Sequence, residues 1–342
     1  MSESGLSHPK LSVVLPVYNG LPYLEAALSS VLHQSFHDFE LIVVNDGSTD
    51  GSDAIIEKLD DPRVRYLRQP NKGLSATLNR GISIAKGRYI ARQDQDDISF
   101  PLRFQKQVDY LDTHANVGML GAWAEIWVGN DPTTRLLKHP TEDAAIRFGM
   151  LFDNYFVHSS VMLRRTALEE VGGYSEDRNR QPPEDYELWS RIMRTHMAYN
   201  LPEVLMAYRE VPTSMSRVVS NPFVKNVVKI SAENISRASH CAVDSPEVVA
   251  LSNLYHGEYS GMPSGVAYAK MQSVLTRAIT RIAEESGVSM QRMRAISLET
   301  IHKLHYRYID YRSSGLIGKV LHSSIGQRTK NVVRRILYKD SL

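Results

Sequence analysis

One cysteine, Cys241, occurs in 342 residues, and a single thiol cannot build an internal disulfide framework; its scarcity fits a reducing compartment. Also missing is any run of about 18 apolar residues, the length a helix needs to cross a bilayer, and the polar stretch from Met1 to Lys10 lacks the apolar core of a secretion signal. The expected location is therefore the cytoplasm. Without a secretion signal, Asn234-Ile235-Ser236 matches a glycosylation acceptor by chance. Nor is there an excess of either charge: 40 Lys and Arg stand against 38 Asp and Glu, a net charge of +2, which gives no reason to expect nucleic acid as a partner. Internal repeats and low-complexity tracts are absent. What is present, 42% hydrophobic and 23% charged residues, suffices for a full core and a second domain.

The first half alternates short β-rich runs with helical patterns, the arrangement that builds a parallel sheet covered by helices. Leu11 to Val17 and Phe39 to Val44 read as the first two strands, joined by an amphipathic helix carrying Leu21, Leu24, Leu28 and Val31. Val64 to Leu67 reads as a third strand, and Leu74, Leu78, Ile82 and Ala85 mark a helix ending near Gly87. Arg88 to Ala91 is a short strand that runs into Asp94-Gln95-Asp96-Asp97. The acidic cluster thus falls at the carboxyl end of a strand, the edge where open α/β sheets bind ligands. Pro101 opens a helix with Phe104, Val108 and Leu111, Val117 to Val128 supplies one or two further strands, and Val157 to Leu163 another. Leu188 and Ile192 set a helical period over Asp185 to Thr195, behind Pro182-Pro183, so Glu184 and Asp185 lie at a helix start. Longer helical stretches follow residue 215, with Tyr268, Met271, Leu275, Ile279 and Ile282 on one stripe that Gly287 terminates. The expected architecture is an α/β domain over residues 1–215 and a helical region over 216–342.

Four constellations carry chemistry. A divalent cation bridging diphosphate oxygens stabilises a diphosphate leaving group, and a short acidic cluster such as Asp94-Gln95-Asp96 can hold Mg2+ or Mn2+. Isolated, such residues are more often turn and cap residues, here before the helix that Pro101 opens. In Asn45-Asp46-Gly47-Ser48-Thr49-Asp50-Gly51, Asp46 can accept a hydrogen bond from a base N–H, or the run can be an ordinary turn with a helix cap. Pro16-Val17-Tyr18-Asn19 closes the first strand on the ligand-binding edge, where the Tyr18 ring can stack on a nucleobase or simply pack. Finally, Glu184-Asp185-Tyr186-Glu187-Leu188-Trp189-Ser190-Arg191 offers a carboxylate to take a proton from an attacking hydroxyl. Acidic residues are also favoured at a helix N-terminus by capping and the macrodipole.

Taken in order, LSVVLPVYNG, ELIVVNDGSTDGS, NKGLSATLNRGISIAKGRYIARQDQDD and EDYELWSR, spanning roughly residues 11 to 195, resemble glycosyltransferase family 2 with its GT-A fold. The resemblance implies an inverting enzyme that takes a sugar from a nucleotide diphosphate donor, UDP-sugar or dTDP-sugar, to a glycan or lipid-linked acceptor. It implies that Tyr18 and Asp46 bind the donor base, that Lys72, Gly73 and Asn79 border the nucleotide or sugar, and that Asp94 and Asp96 match the metal-binding pair, with Asp96 the favoured ligand. The catalytic base falls on Asp185, with Glu184 its neighbour, and His158 matches a polar position near the reaction centre that contacts acceptor or diphosphate. The Q-x-x-R-W signature of processive synthases is absent, which implies one sugar per encounter.

Residues 216–342 lie outside the resemblance and are expected to hold the acceptor, an oligomer contact or a membrane surface. Residues 301–342 carry nine Lys and Arg against two Asp and Glu. Arg328, Lys330, Arg334, Arg335 and Lys339 there accompany Val332, Val333, Ile336 and Leu337 in a pattern suited either to the inner face of a membrane or to packing with a solvated basic side. Two other classes of function share these motifs: a catalytically silent sugar-nucleotide or glycan-binding partner of another transferase, and a metal-dependent nucleotidyltransferase.

Overall fold

Leu11–Val17 (β1) and Phe39–Asn45 (β2) are buried at every position, as strands covered on both faces are. The computed structural model describes residues 8–211 and 222–314. Between and after these two strands come α1 (Leu24–Leu32), α2 (Ser52–Ile56), β3 (Val64–Arg68), α3 (Leu74–Ile84), β4 (Tyr89–Arg92), β5 (Ile98–Ser99) and α4 (Arg103–Thr113). The chain continues through β6 (Val117–Val128), β7 (Asp131–Leu137), α5 (Asp143–Gly149), β8 (Met162–Arg164), α6 (Arg165–Val171), α7 (Glu184–Ile192) and β9 (Met197–Glu210). It closes with α8 (Phe223–Ser239), α9 (Pro246–His256), α10 (Tyr268–Ser286) and α11 (Met290–Ser314).

The sheet runs β3-β2-β1-β4-β8-β6-β9-β5, with β7 beside β6. β1 pairs in parallel with β2 from Leu11↔Phe39 to Val17↔Asn45, and with β4 from Leu11↔Tyr89. β3 extends the parallel half, and β6 and β9 form a long parallel pair beyond the antiparallel β8. The result is a mixed, mostly parallel sheet flanked by helices. Alternation along β1 sends Val14 to one face, among Ile42, Val44, Leu78 and Trp189, and Val13 and Leu15 to the other, among Leu28, Leu41 and Phe104. Because β1, β2 and β4 point the same way, the residues that follow each of them gather on one edge.

The structure departs from the sequence pattern in places with identifiable causes. Val157–Leu163 is not one strand: His158–Ser160 forms a 3₁₀ turn before β8. Ser160 donates both its N–H (2.9 Å) and its hydroxyl (2.8 Å) to the Val157 carbonyl, so local bonds replace the ladder there. A short helix, α2, follows the Asn45–Gly51 turn. β9 reaches fourteen residues although it contains Pro202, and its register against β6 shifts around Ala122 and Trp123.

Contacts divide the chain into residues 1–234 and 235–342, a division that falls within α8. The expected boundary near residue 215 and the basic segment Arg328–Lys339 lie outside the described residues. In the second unit α9, α10 and α11 pack on one another, burying Leu251, Leu254, Met271, Leu275, Ile279, Ile282 and Leu304. Gly287 ends α10 with φ +64°, in the left-handed conformation a helix C-cap favours. Among the described residues no helix is long and apolar enough to cross a membrane.

The junction of β1 and β4 requires glycine at position 87. A Cβ there would stand 2.4 Å from the Ser12 backbone N and 2.6 Å from the Leu11 carbonyl carbon. Backbone cannot yield as a side-chain tip does, so Gly87→Ala is expected to lower stability by about 1–3 kcal/mol, read as a lower urea midpoint at unchanged slope.

Candidate active site

β4 ends at Arg92, and the next residues turn beneath the sheet edge. Gln93, fully buried, donates to the carbonyls of Asp94 (3.1 Å) and Asp97 (2.8 Å) and accepts from Ser99 Oγ (2.6 Å) and Arg103 (3.1 Å). Arg103 is itself buried and donates to the Arg92 carbonyl at 2.8 Å, and burial pulls its pKa down to about 9. This polar footing fixes the turn that carries the acids.

Each acid then meets a different environment. Asp94 takes the Arg92 guanidinium on Oδ1 and the Ser159 hydroxyl on Oδ2 at 2.7 Å. That hydroxyl also meets Oδ2 of Asp97, whose Oδ1 accepts the Arg209 N–H at 2.8 Å. A hydroxyl has one proton to donate, so one of these contacts needs a proton on a carboxyl. Burial, reinforced by Asp96 and Asp94, pushes Asp97 well above the usual carboxylate range. Burial also pushes on Asp94, but Arg92 and the Ser159 hydroxyl hold it below its ordinary value. Ser159 thus bridges an acid that burial pushes up, Asp97, and one that Arg92 holds down, Asp94. Asp96 differs again: its carboxylate is held by its own backbone N–H, and burial with the charge of Asp94 pushes it up to about 6.

The loops after β1 and β2 are stitched together beside this turn. Gln95 accepts from the Tyr18 N–H at 2.8 Å and donates to the Tyr18 carbonyl at 3.1 Å, a two-point clamp that leaves the Tyr18 ring 50% exposed. Asn19, at φ +51°, donates its N–H to Ser48 Oγ and accepts from the Thr49 N–H, each at 2.9 Å. Pro16 and Val17 are buried in the end of β1. Asp46, buried, accepts on Oδ1 from Gln69 (2.7 Å) and the Lys72 N–H (2.9 Å), and on Oδ2 from the Gly73 N–H (2.9 Å). It holds the loop that enters α3 through Gly73 at φ +90°. Asn79, within α3, donates to the Tyr174 carbonyl and accepts from its N–H, each at 2.9 Å.

Glu184 and Asp185 open α7. Asp185 accepts from the Tyr186 N–H on Oδ1 at 2.7 Å and from Asn154 on Oδ2 at 2.8 Å. Burial pushes Asp185 up to about 6 and, helped by the charge of Asp185, pushes Glu184 up to about 8. Nδ1 of His158 lies 3.8 Å from Glu184 Oε1, and its Nε2 lies 2.9 Å from the Tyr174 hydroxyl. Burial and then the charge of Arg92 lower His158 to about 3, so its imidazole is neutral. One short stretch thus reaches both acidic groups: Asn154 reaches Asp185, His158 faces Glu184, and Ser159 binds Asp94 and Asp97. The acidic turn and the start of α7, far apart in sequence, border one space.

Residues 12–172 match the model of Glycosyl transferase family 2. The putative glycosyltransferase EpsE of Bacillus subtilis (strain 168) is 34% identical over 220 residues, covering 62% of this chain and 77% of its own. The amylovoran biosynthesis glycosyltransferase AmsE of Erwinia amylovora is 31% identical over 225 residues, covering 64% and 83%. This chain belongs to glycosyl transferase family 2. Its fold is also that of S. aureus TarS 1-349 in complex with UDP-GlcNAc (TM-score 0.57, 18% identity, 89% of this chain and 92% of that one). The mannosyltransferase PcManGT of Pyrobaculum calidifontis, in complex with GDP-Man and Mn2+, gives a TM-score of 0.53 at 17% identity, over 92% and 89% of the two chains. The family's GT-A architecture is therefore shared at low identity, which speaks to fold alone.

Several residues around these acids were not among the candidates named from the sequence: Arg92, Asn154, Ser159, Tyr174 and Arg209. Arg92 stands two residues before Asp94, just past the strand expected to end at Ala91. It is 3% exposed, and Arg92→Met would leave Asp94 without its cation among neighbouring acids. Loss of one partner of a largely buried pair is expected to cost about 3–5 kcal/mol, so the urea midpoint should fall sharply. An unchanged midpoint would show that the acids do not depend on this charge.

Proposed function

We propose that the chain transfers a single sugar, with inversion, from a nucleotide diphosphate sugar to a hydroxyl of a glycan or lipid-linked acceptor in cell-surface polysaccharide biosynthesis. UDP-sugars are the favoured donors and dTDP-sugars the next. The reading rests above all on the short Asn154–Ser159 stretch, which contacts both the acidic turn and the acids of α7. A donor diphosphate and an acceptor hydroxyl need those two groups on opposite sides of one space. The amylovoran relative supports the polysaccharide setting, and the UDP-GlcNAc and GDP-Man complexes of the two structural neighbours support a nucleotide-sugar donor.

Asp96 and Asp94 are the residues that would hold Mn2+ or Mg2+. Among the described residues no group of three or more His, Cys, Asp or Glu side chains is arranged to hold a metal. An ion that uses one or two carboxylates and completes its shell with phosphate oxygens needs no such group. The carboxylate of Asp96, held by its own amide, has lone pairs left for that part. When bound, the ion neutralises charge developing on the departing diphosphate.

On the donor side, the half-exposed Tyr18 ring stacks on the base, and the Asp46-anchored loop at Lys72 and Gly73 borders the nucleotide. Asn79 acts by fixing Tyr174, which meets His158. Pro16, Val17, Asn19 and Gln95 set the Tyr18 loop against the acidic turn. Asp185 is the base: two donors orient its carboxylate, and its remaining lone pairs can take the acceptor proton. Glu184 remains protonated at neutral pH, which leaves one anionic carboxylate on this side. That suits single-step inversion better than double displacement, which needs a second carboxylate as nucleophile.

Two tests address these roles. Asp185→Asn should retain donor binding yet reduce transfer by about 10²–10⁴-fold, and wild-type transfer should fall as the pH drops through about 6, where the base takes up its proton. Transfer unchanged in the variant would remove Asp185 from the mechanism. Asp96→Ala should abolish the Mn2+-dependent part of UDP binding in isothermal titration; if that part persists, Asp96 is not a ligand.

A further inference from the structure

At the opposite edge of the sheet, where β1 and β4 begin, lies a cavity of about 620 Å³ lined by Lys10, Lys86, Arg88, Arg164 and Arg165 with a single acid, Asp38, among its charged walls. β1 alone separates the two edges by roughly 20 Å, at about 3.3 Å per residue. The donor site cannot reach this far. We propose that the cavity is a second binding site, for a phosphorylated group such as a phosphate monoester or diester.

The charge is concentrated and incompletely matched. Lys10 pairs with Asp112 at 2.5 Å, Arg88 stands 3.5 Å from the same carboxylate, and Arg165 lies 3.6 Å from Glu169. Counting Asp38, Asp112 and Glu169 against the five cations leaves 5 − 3 = +2, as large as the surplus of the whole chain. Arg164 is 9% exposed, and its guanidinium donates to the carbonyls of Val117 (3.1 Å), Leu111 (2.8 Å) and His114 (3.0 Å). Neutral oxygens hold that charge in place without cancelling it. Arg165 adds a guanidinium, its side chain 41% exposed and 3.6 Å from Glu169.

The backbone presenting these groups is rigid. The Lys86 N–H donates to Glu40 Oε1 at 2.7 Å, the Gly87 N–H donates to Ser12 Oγ at 2.8 Å, and Glu40 itself is 7% exposed. Lys86 and Arg88 thus flank a pinned glycine while their side chains remain exposed. Guanidinium forks with an added ammonium match phosphate oxygens better than they match a single carboxylate. The cavity is also larger than one phosphate needs, so the ligand carries more than the bare anion.

The full chain, freed of divalent metal by chelator, is titrated calorimetrically with inorganic pyrophosphate and assayed for flotation with phosphatidylglycerol and phosphatidylcholine vesicles. Wild type is compared at one ionic strength with Lys86→Glu/Arg88→Glu and with Asp96→Ala. Both reversed residues are exposed, so the double variant is expected to keep the wild-type melting temperature and sugar transfer. Pyrophosphate should bind wild type and Asp96→Ala alike and the double variant about tenfold more weakly or worse. If phosphatidylglycerol vesicles recruit wild type more than the double variant, the phosphate belongs to a lipid headgroup; if they recruit both equally, it belongs to a soluble compound. The proposal is overturned if neither probe distinguishes the double variant from wild type, or if pyrophosphate binding disappears in Asp96→Ala.

Discussion

A single guanidinium, that of Arg92, stands between the two acidic groups of this protein. It pairs with Asp94, and its charge also lowers Asp96, Glu184 and Asp185 against the burial that raises them. The same charge lowers His158, keeping that imidazole neutral. Five carboxyl groups drawn into one partly desolvated region would otherwise all be driven toward protonation. Arg92 is the last residue of β4, a strand held between β1 and β8, so the cation is set by the sheet itself. The surroundings can therefore sort the acids: Asp94 held low, Asp97 pushed well up, Asp96 and Asp185 between.

The parts of the fold legible in the sequence are those decided by local periodicity. β1, β2 and β3, the helices after β1 and β3, and the α10 stripe all follow from apolar spacing, because each buries a face that its own residues define. β9 did not show itself, since Pro202 and Glu203 interrupt its pattern and its pairing with β6 is a long-range event. The 3₁₀ turn at His158–Ser160 was hidden for the opposite reason. Its neighbours look like a strand, and the turn rests on Ser160 bonding back to the Val157 carbonyl while Ser159 reaches Asp94 and Asp97.

The site divides in the same way. Residues of the acidic turn and of α7 were visible because four ordered motifs together resemble a family, although each acidic run alone also suits a turn or a helix cap. Their partners were not, because Asn154, Ser159 and Tyr174 are ordinary residues that matter only through whom they touch. Asp46 illustrates the gap between type and place. Its carboxylate suggested a hydrogen bond to a base, and in the structure three protein donors already converge on it to shape the Lys72–Gly73 loop. Gln95 and Asn79 do comparable work, each clamping the N–H and the carbonyl of one tyrosine, Tyr18 and Tyr174 respectively. These amides tie separate loops of the site to one another.

The adjacent acids of α7 show how environment, not residue type, assigns roles. Both lie at a helix N-terminus, where the backbone dipole favours negative charge, yet burial raises both. Two neighbouring carboxyls in such a setting titrate as a pair and resist double ionisation. The charge goes to the member with more donors. Asp185 has Asn154 and the Tyr186 N–H, whereas Glu184 faces a neutral His158 whose Nδ1 at 3.8 Å is too distant for a hydrogen bond. Asp185 is therefore the anion and Glu184 the acid. In the proposed reaction this asymmetry supplies one base for the acceptor hydroxyl while withholding a second anion that would repel the incoming diphosphate.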